Sequence, residues 1–374
     1  MLRNPFVTNG YAGPEYFCDR VEETRQLTNL LTNGNNVALM SPRRIGKTDL
    51  IRHCFAQPDI KEHYYTFIID IYATHSLRDM VNCFGKSITD ALRPRGRAIW
   101  EQFVQRLSSM RAEFSFDIQG QPVWGVGLGT MTNPDTTLDE IFGYLQQADK
   151  PCLVAFDEFQ QIATYGDNRI EPLLRTYIQQ CSSAQFLFCG SRRHMMSEMF
   201  SLPSRPFYQS VTLMNLHPLA VEKYQAFAAS LFRERGKQLD EGVVPLLFEQ
   251  FDGITSYIQR LMNTLFLQTP EGGRCTTSMV DDAIRYTLDM ASDTYETLLW
   301  QIPAKQRDVL IAICTEGKAQ NIKSGQFAKR HKLPSPSSVQ SAVKGLLEKD
   351  LITVDQNTYS VQDKFFALWL KGRV

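Results

Sequence analysis

The stretch Asn36–Ile51, NVALMSPRRIGKTDLI, decides how the rest of the chain is read. A short apolar run leads into a compact polar turn, then Lys47 and Thr48, then a segment whose Leu50, Ile51, Cys54 and Phe55 recur at helical spacing. A loop that grips phosphate needs these parts. They are a buried strand, a turn whose backbone N–H groups converge, a lysine for the β- and γ-phosphates, and a hydroxyl for a magnesium ion at a helix start. The residues that would line it are Ser41, Pro42, Arg43, Arg44, Ile45, Gly46, Lys47, Thr48 and Asp49. Gly46 is kept, but Ser41 stands where the usual pattern begins with glycine, which a small residue can replace only if its φ is negative.

About 110 residues further on, PCLVAFDEFQQI supplies a second apolar run, ending in Asp157 and Glu158. At the C-terminal edge of a strand Asp157 can hold a magnesium shell, and Glu158 can orient and polarise an attacking water. An acidic pair after a strand also suits a helix N-cap, but its place downstream of a phosphate loop favours the nucleotide role. The next apolar run ends in FCGSRRHMM, making Ser191 the candidate γ-phosphate sensor, with Arg192 or Arg193 stabilising charge. The alternative is that Ser191 caps a helix and the arginines are solvated. Arg175 and Arg205 are either arginine fingers or surface ion-pair residues, and Asp70 either approaches the site or caps the turn after its strand. Lys47, Glu158, Ser191 and Arg192 form the candidate catalytic set, and Thr48 with Asp157 the candidate metal ligands.

Apolar runs at 36–40, 64–72, 152–156, 185–190 and 210–216, separated by helical stretches, predict an α/β domain with a five-stranded parallel sheet over residues 1–219. A glycine-rich alternating segment, EFSFDIQGQPVWGVGLG, predicts a hairpin insertion at about 110–132. Residues 220–301 read as a small helical domain. Residues 302–374 read as three helices followed by two short strands, LITV and TYSV, which describes a winged helix-turn-helix.

Forty Lys and Arg balance forty Asp and Glu, so no global field draws the chain to nucleic acid or an anionic membrane. Eight scattered cysteines without CxxC spacing predict buried thiols rather than disulfides or a zinc site. The first residues carry no apolar signal core and no run is long enough to span a membrane, so the expectation is a cytoplasmic protein.

The order YFCDRVEE, SPRRIGKT, CLVAFDEFQ, FLFCGSRR, helical lid and winged helix resembles the archaeal-type ATPases, which belong with the AAA+ and STAND branches of P-loop NTPases. The resemblance implies ATP and Mg2+ as ligands, a strand order 5-1-4-3-2, and adenine contacts from the YFCDRVEE segment. There Tyr16, Phe17 and Arg20 match, while Asp19 replaces a common glycine. It also implies a sensor segment near Thr255 and Ser256, with Arg260 either a second sensor or a plain exposed helix residue.

Between Lys318 and Lys349 seven Lys or Arg face one acid, Glu348, so the winged helix contacts either DNA or a protein partner. Its third helix offers serines, Gln340 and Lys344, which suit phosphate contact better than base readout. Three functions follow as expectations. They are an ATP-hydrolysing conformational switch with a protein partner still to be found, a DNA-associated ATPase similar to replication-initiation factors, and a non-catalytic nucleotide-binding scaffold.

Overall fold

The computed structural model describes residues 3–93 and 133–373, and between them 99, 101, 103, 106, 107, 114–116 and 122–124. The chain divides into two compact units, Asn9–Leu219 and a second made of Met1–Thr8 with Ala220–Val374.

The first unit is built on five parallel strands: β1 (Val37–Met40), β2 (Tyr65–Asp70), β3 (Cys152–Asp157), β4 (Ala184–Gly190) and β5 (Thr212–Asn215). They lie in the order β2-β3-β4-β1-β5, which is 5-1-4-3-2 read from the other edge. β1 and β3 are buried at every position, as the apolar runs require of strands covered on both faces. Alternation sorts their side chains. Val154, Phe156, Phe186 and Phe188 enter one core, and Leu153, Ala155, Leu187 and Cys189 the other. The pairings Met40 with Gly190, Met40 with Asn215, and Asp70 with Asp157 bring the carboxyl ends of the strands level along one edge. Helix α1 (Val21–Thr32) precedes β1, and α2 (Lys47–Phe55) follows the loop that leaves it. Where the hairpin was expected, Phe114–Phe116 pairs antiparallel with Pro122–Trp124, and the rest of that segment lies outside the described residues.

In the second unit, helices Val221–Arg233, Val243–Gln250, Thr255–Gln268 and Ser278–Gln301 pack around Tyr224, Phe232, Ile258 and Leu265. Phe6 is completely buried between Phe232 and Phe266, and Asn4 and Asn263 exchange side-chain bonds with backbone carbonyls of Asn263 and Phe6. This seat places residues 3–8 with the helices of the second unit rather than with the sheet. Helices Ala304–Glu316, Gly325–Arg330 and Pro336–Glu348 then precede strands Ile352–Asp355 and Thr358–Val361. A two-residue strand, Ala319–Gln320, makes that sheet three-stranded, and a final helix, Lys364–Lys371, closes the unit. The four-helix part and the winged helix are joined by Phe365 packed edge-on to Phe251 and Tyr257, and by Asp252 paired with Lys364 at 2.7 Å and Lys318 at 3.2 Å. Among the described residues no helix is long and apolar enough to cross a membrane, and all eight cysteines are free.

Candidate nucleotide site

The loop leaves β1 at Ser41, which is buried and does not adopt a positive φ. A side chain therefore fits there without left-handed strain. The left-handed positions are Arg44, at φ 66°, and Gly46, at φ 94°. A Cβ at Gly46 would meet nothing within 4 Å, so glycine is needed for its backbone conformation and not for space. Lys47 opens α2 and is 6% exposed. Its ammonium donates to Ser41 Oγ at 3.1 Å, Pro42 O at 3.0 Å and Ser41 O at 3.4 Å. These are neutral acceptors around a buried cation, an arrangement that an arriving anion would improve.

Thr48 Oγ1 donates to Asp157 Oδ2 at 2.5 Å, across 109 positions of sequence. Asp157 is 7% exposed, and burial pushes its carboxyl above the ordinary value; bonds from Thr48 and Cys189 oppose the shift, and the charges of Glu158 and Asp70 add to it. Burial likewise raises Asp49, and drives the fully buried Cys189 thiol well up.

Glu158 sits beyond the strand end at φ 56°, capping the 3-10 turn Phe159–Thr164. Its Oε2 accepts from Ser191 Oγ at 2.7 Å and Gln160 Nε2 at 2.5 Å. Arg43 Nε in turn donates to Ser191 Oγ at 3.0 Å. A continuous line of bonds thus runs from the loop through the end of β4 to the end of β3. The helix Arg193–Ser201 has Arg192 at its N-cap with no side-chain cap, so the Ser191 hydroxyl serves the carboxylate and not the helix. Arg192 is half-buried with Nη1 3.9 Å from Met195 Sδ, and Arg193 is exposed. Arg205 is ion-paired with Glu171, and Asp70 accepts from Tyr72 N at 2.9 Å, which is the turn-capping alternative. In the second unit the Arg260 guanidinium lies 5.4 Å from the Phe365 ring centre.

Phe17 and Arg20 lie apart from this line of bonds. The Phe17 ring stacks on His53 of α2 at 4.3 Å, with Tyr11 edge-on to both and its hydroxyl 2.9 Å from His53 Nδ1. Arg20 is buried and bonded to Glu23 at 2.6 Å. Sequence reasoning singled out neither Tyr11 nor His53, nor did it give Gln160 a role. Gln160 was visible in the DEFQ run, and His53 could have been found as the polar residue beside the apolar face of α2.

A five-stranded parallel sheet in this order, with a phosphate loop leaving one strand and bonded to the acidic end of another, defines a P-loop NTPase fold. Residues 17–261 match the family described as an ATPase domain predominantly from Archaea, and residues 293–372 match a probable winged helix domain. The chain belongs to that archaeal ATPase family.

Its fold is similar to that of the Walker-type ATPase of Pyrococcus abyssi, with TM-score 0.64, 19% identity, and 98% and 99% of the two chains covered. The Aeropyrum pernix ORC2 protein, solved as ADPNP–ADP complexes, has TM-score 0.57, 14% identity and coverage of 99% and 98%. The Aeropyrum pernix ORC1 protein, solved in complex with DNA, has TM-score 0.54, 14% identity and coverage of 99% and 96%. At these identities the likeness concerns the fold. No protein with a curated description matches the chain.

Proposed function

We propose that the chain binds ATP with Mg2+ at the loop of residues 41–49 and hydrolyses it, and that hydrolysis drives a conformational switch. The observation that supports this most strongly is the 2.5 Å bond between Thr48 and Asp157, which ties the loop to the strand end that carries Glu158. The pair offers a hydroxyl and a carboxylate oxygen only, a donor set that suits Mg2+, which binds through one or two carboxylates and phosphate while keeping several waters. Thr48 and Asp157 would hold the ion, whose chemistry when bound is to neutralise charge on the phosphates.

The remaining steps belong to the chain's own residues. Lys47 exchanges its loop oxygens for phosphate oxygens, and the backbone N–H groups of residues 43–48 face the same anion. Glu158 orients the attacking water through a carboxylate oxygen, Ser191 contacts the γ-phosphate end, and Arg192 supplies charge from the start of its helix. Phe17 and Arg20 are assigned to the base end. Lys47→Ala should lose binding of a fluorescent ATP analogue, whereas Glu158→Gln should keep it and turn ATP over about 10²–10⁴-fold more slowly. Equal turnover by wild type and both variants would remove the assignment. A non-hydrolysable analogue should change protease sensitivity between residues 219 and 302, and an unchanged pattern would count against the switch. The switch acts on a protein partner, in a cytoplasmic setting, whose binding should depend on nucleotide state.

DNA contact at the winged helix is a second proposal. Lys323, Lys329 and Lys332 are exposed, and the Aeropyrum ORC1 protein of the same fold was solved with DNA. The available charge is smaller than the sequence count, because Lys318 is paired with Asp252 and Arg330 with Glu316. Three phosphate contacts predict a slope of roughly −3 for log affinity against log salt. Absence of retention on duplex DNA at low salt would remove the proposal.

A further inference from the structure

We infer that Gln160 is a positioning residue for the Glu158 carboxylate, seated by the absence of a side chain at Gly190. The inference rests on the proposed role of Glu158 as the group that orients water. Gln160 is 3% exposed, in the turn directly after Glu158, and its amide nitrogen is 2.5 Å from Glu158 Oε2. That oxygen also accepts the Ser191 hydroxyl at 2.7 Å. Two donors converging on one carboxylate oxygen fix the end of the side chain and leave Oε1 for a further donor.

The seat is built for the amide. A Cβ placed at Gly190 would overlap Gln160 Oε1 and Met196 Sδ, so any larger residue at the end of β4 would push the glutamine off Glu158. Inside the seat Gln160 Oε1 is buried with no hydrogen-bond partner. An apolar side chain of similar size would avoid that orphaned oxygen, so the bond from the amide nitrogen to Glu158 is what the glutamine contributes. With Gln160 and Ser191 both in place the carboxylate cannot swing toward the loop arginines. Without Gln160 the bond from Ser191 alone holds it, and Ser191 is itself shared with Arg43 at 3.0 Å.

The test is a double-mutant cycle with Gln160→Leu and Glu158→Gln, reading kcat, KM, affinity for a fluorescent ATP analogue and the melting temperature. Gln160→Leu is expected to lower kcat about tenfold with KM, affinity and melting temperature unchanged, and to have no further effect in the Glu158→Gln background. In a crystal structure of nucleotide-free Gln160→Leu protein, the Glu158 carboxylate should occupy more than one orientation. A Gln160→Leu protein with wild-type kcat, where Glu158→Gln is impaired, would overturn the role of Gln160 alone. Equal losses in both backgrounds would do the same, by showing a merely structural effect. A single, unmoved Glu158 in the crystal would also overturn it. Undiminished turnover by Glu158→Gln would instead overturn the role of Glu158, and this inference with it.

Discussion

The strand ends of the first unit and the joints within the second are made of opposite kinds of contact. At the strand ends of the first unit, Lys47, Asp157, Gln160 and Ser191 are buried polar groups, each bonded to the half-buried Glu158 or to the loop. In the second unit, the joints between the four helices, the segment around Phe6 and the winged helix are made by Phe6, Phe251, Tyr257 and Phe365, with ion pairs such as Asp252–Lys318 at the rim. Burying an ionised carboxylate or ammonium is unfavourable for folding, whereas burying an aromatic ring is what folding runs on. The first unit draws its cohesion from the apolar cores on either face of its sheet, and the difference teaches that the strand-end cluster is kept for something other than stability.

Four substitutions would break or sharpen that contrast, taken from the largest effect downward. Glu158→Gln should cost about 10²–10⁴ in turnover while leaving the thermal transition in place; a matching loss of stability would show that the cluster is cohesive after all. Phe6→Ala should destabilise the second unit by about 3–5 kcal/mol, read by chemical denaturation, with nucleotide affinity preserved.

Asp157→Asn should raise the stability of the nucleotide-free protein while weakening Mg2+-dependent binding, read by chemical denaturation and nucleotide titration. The sign follows from burial. Because the folded pKa lies above the ordinary 3.8, the ionised form is disfavoured in the native state, and stability falls as pH rises through that window and stays reduced at neutrality. Asparagine should flatten this part of the pH profile.

Asp252→Ala should cost less than about 1 kcal/mol, since the pair is partly open to solvent. Burial pushes the Asp252 carboxyl up, but bonds and charges from Lys364 and Lys318 outweigh it and hold the value below 3.8. Its small contribution is therefore complete above 3.8 and fades as pH falls through the lowered value. A larger loss would move the second unit toward the polar kind of cohesion.

The same contrast explains what could be read from the sequence. Strands such as CLVAF declare themselves because parallel strands covered on both faces must be apolar throughout, and that also located the phosphate loop and the acidic strand end. Pairing Thr48 with Asp157 needed only the chemistry of the ligand both would serve. The 3-10 turn that brings Gln160 back onto Glu158 has no periodicity to read, and the glycine that makes room for it lies on another strand, thirty residues on. Ala319–Gln320 is too short for alternation to show. Phe6 looked like an ordinary apolar residue near the start, because nothing in its neighbourhood names Phe232 and Phe266 as its companions.

That last residue has a bearing on synthesis. Phe6 leaves the ribosome before the rings that enclose it, which are more than two hundred residues further along and, at roughly 5–20 residues per second, follow some tens of seconds later. During that interval the leading segment waits without its pocket while the sheet behind it can already fold. Deletions that remove Phe6 should accordingly show their damage among the helices that carry Phe232 and Phe266.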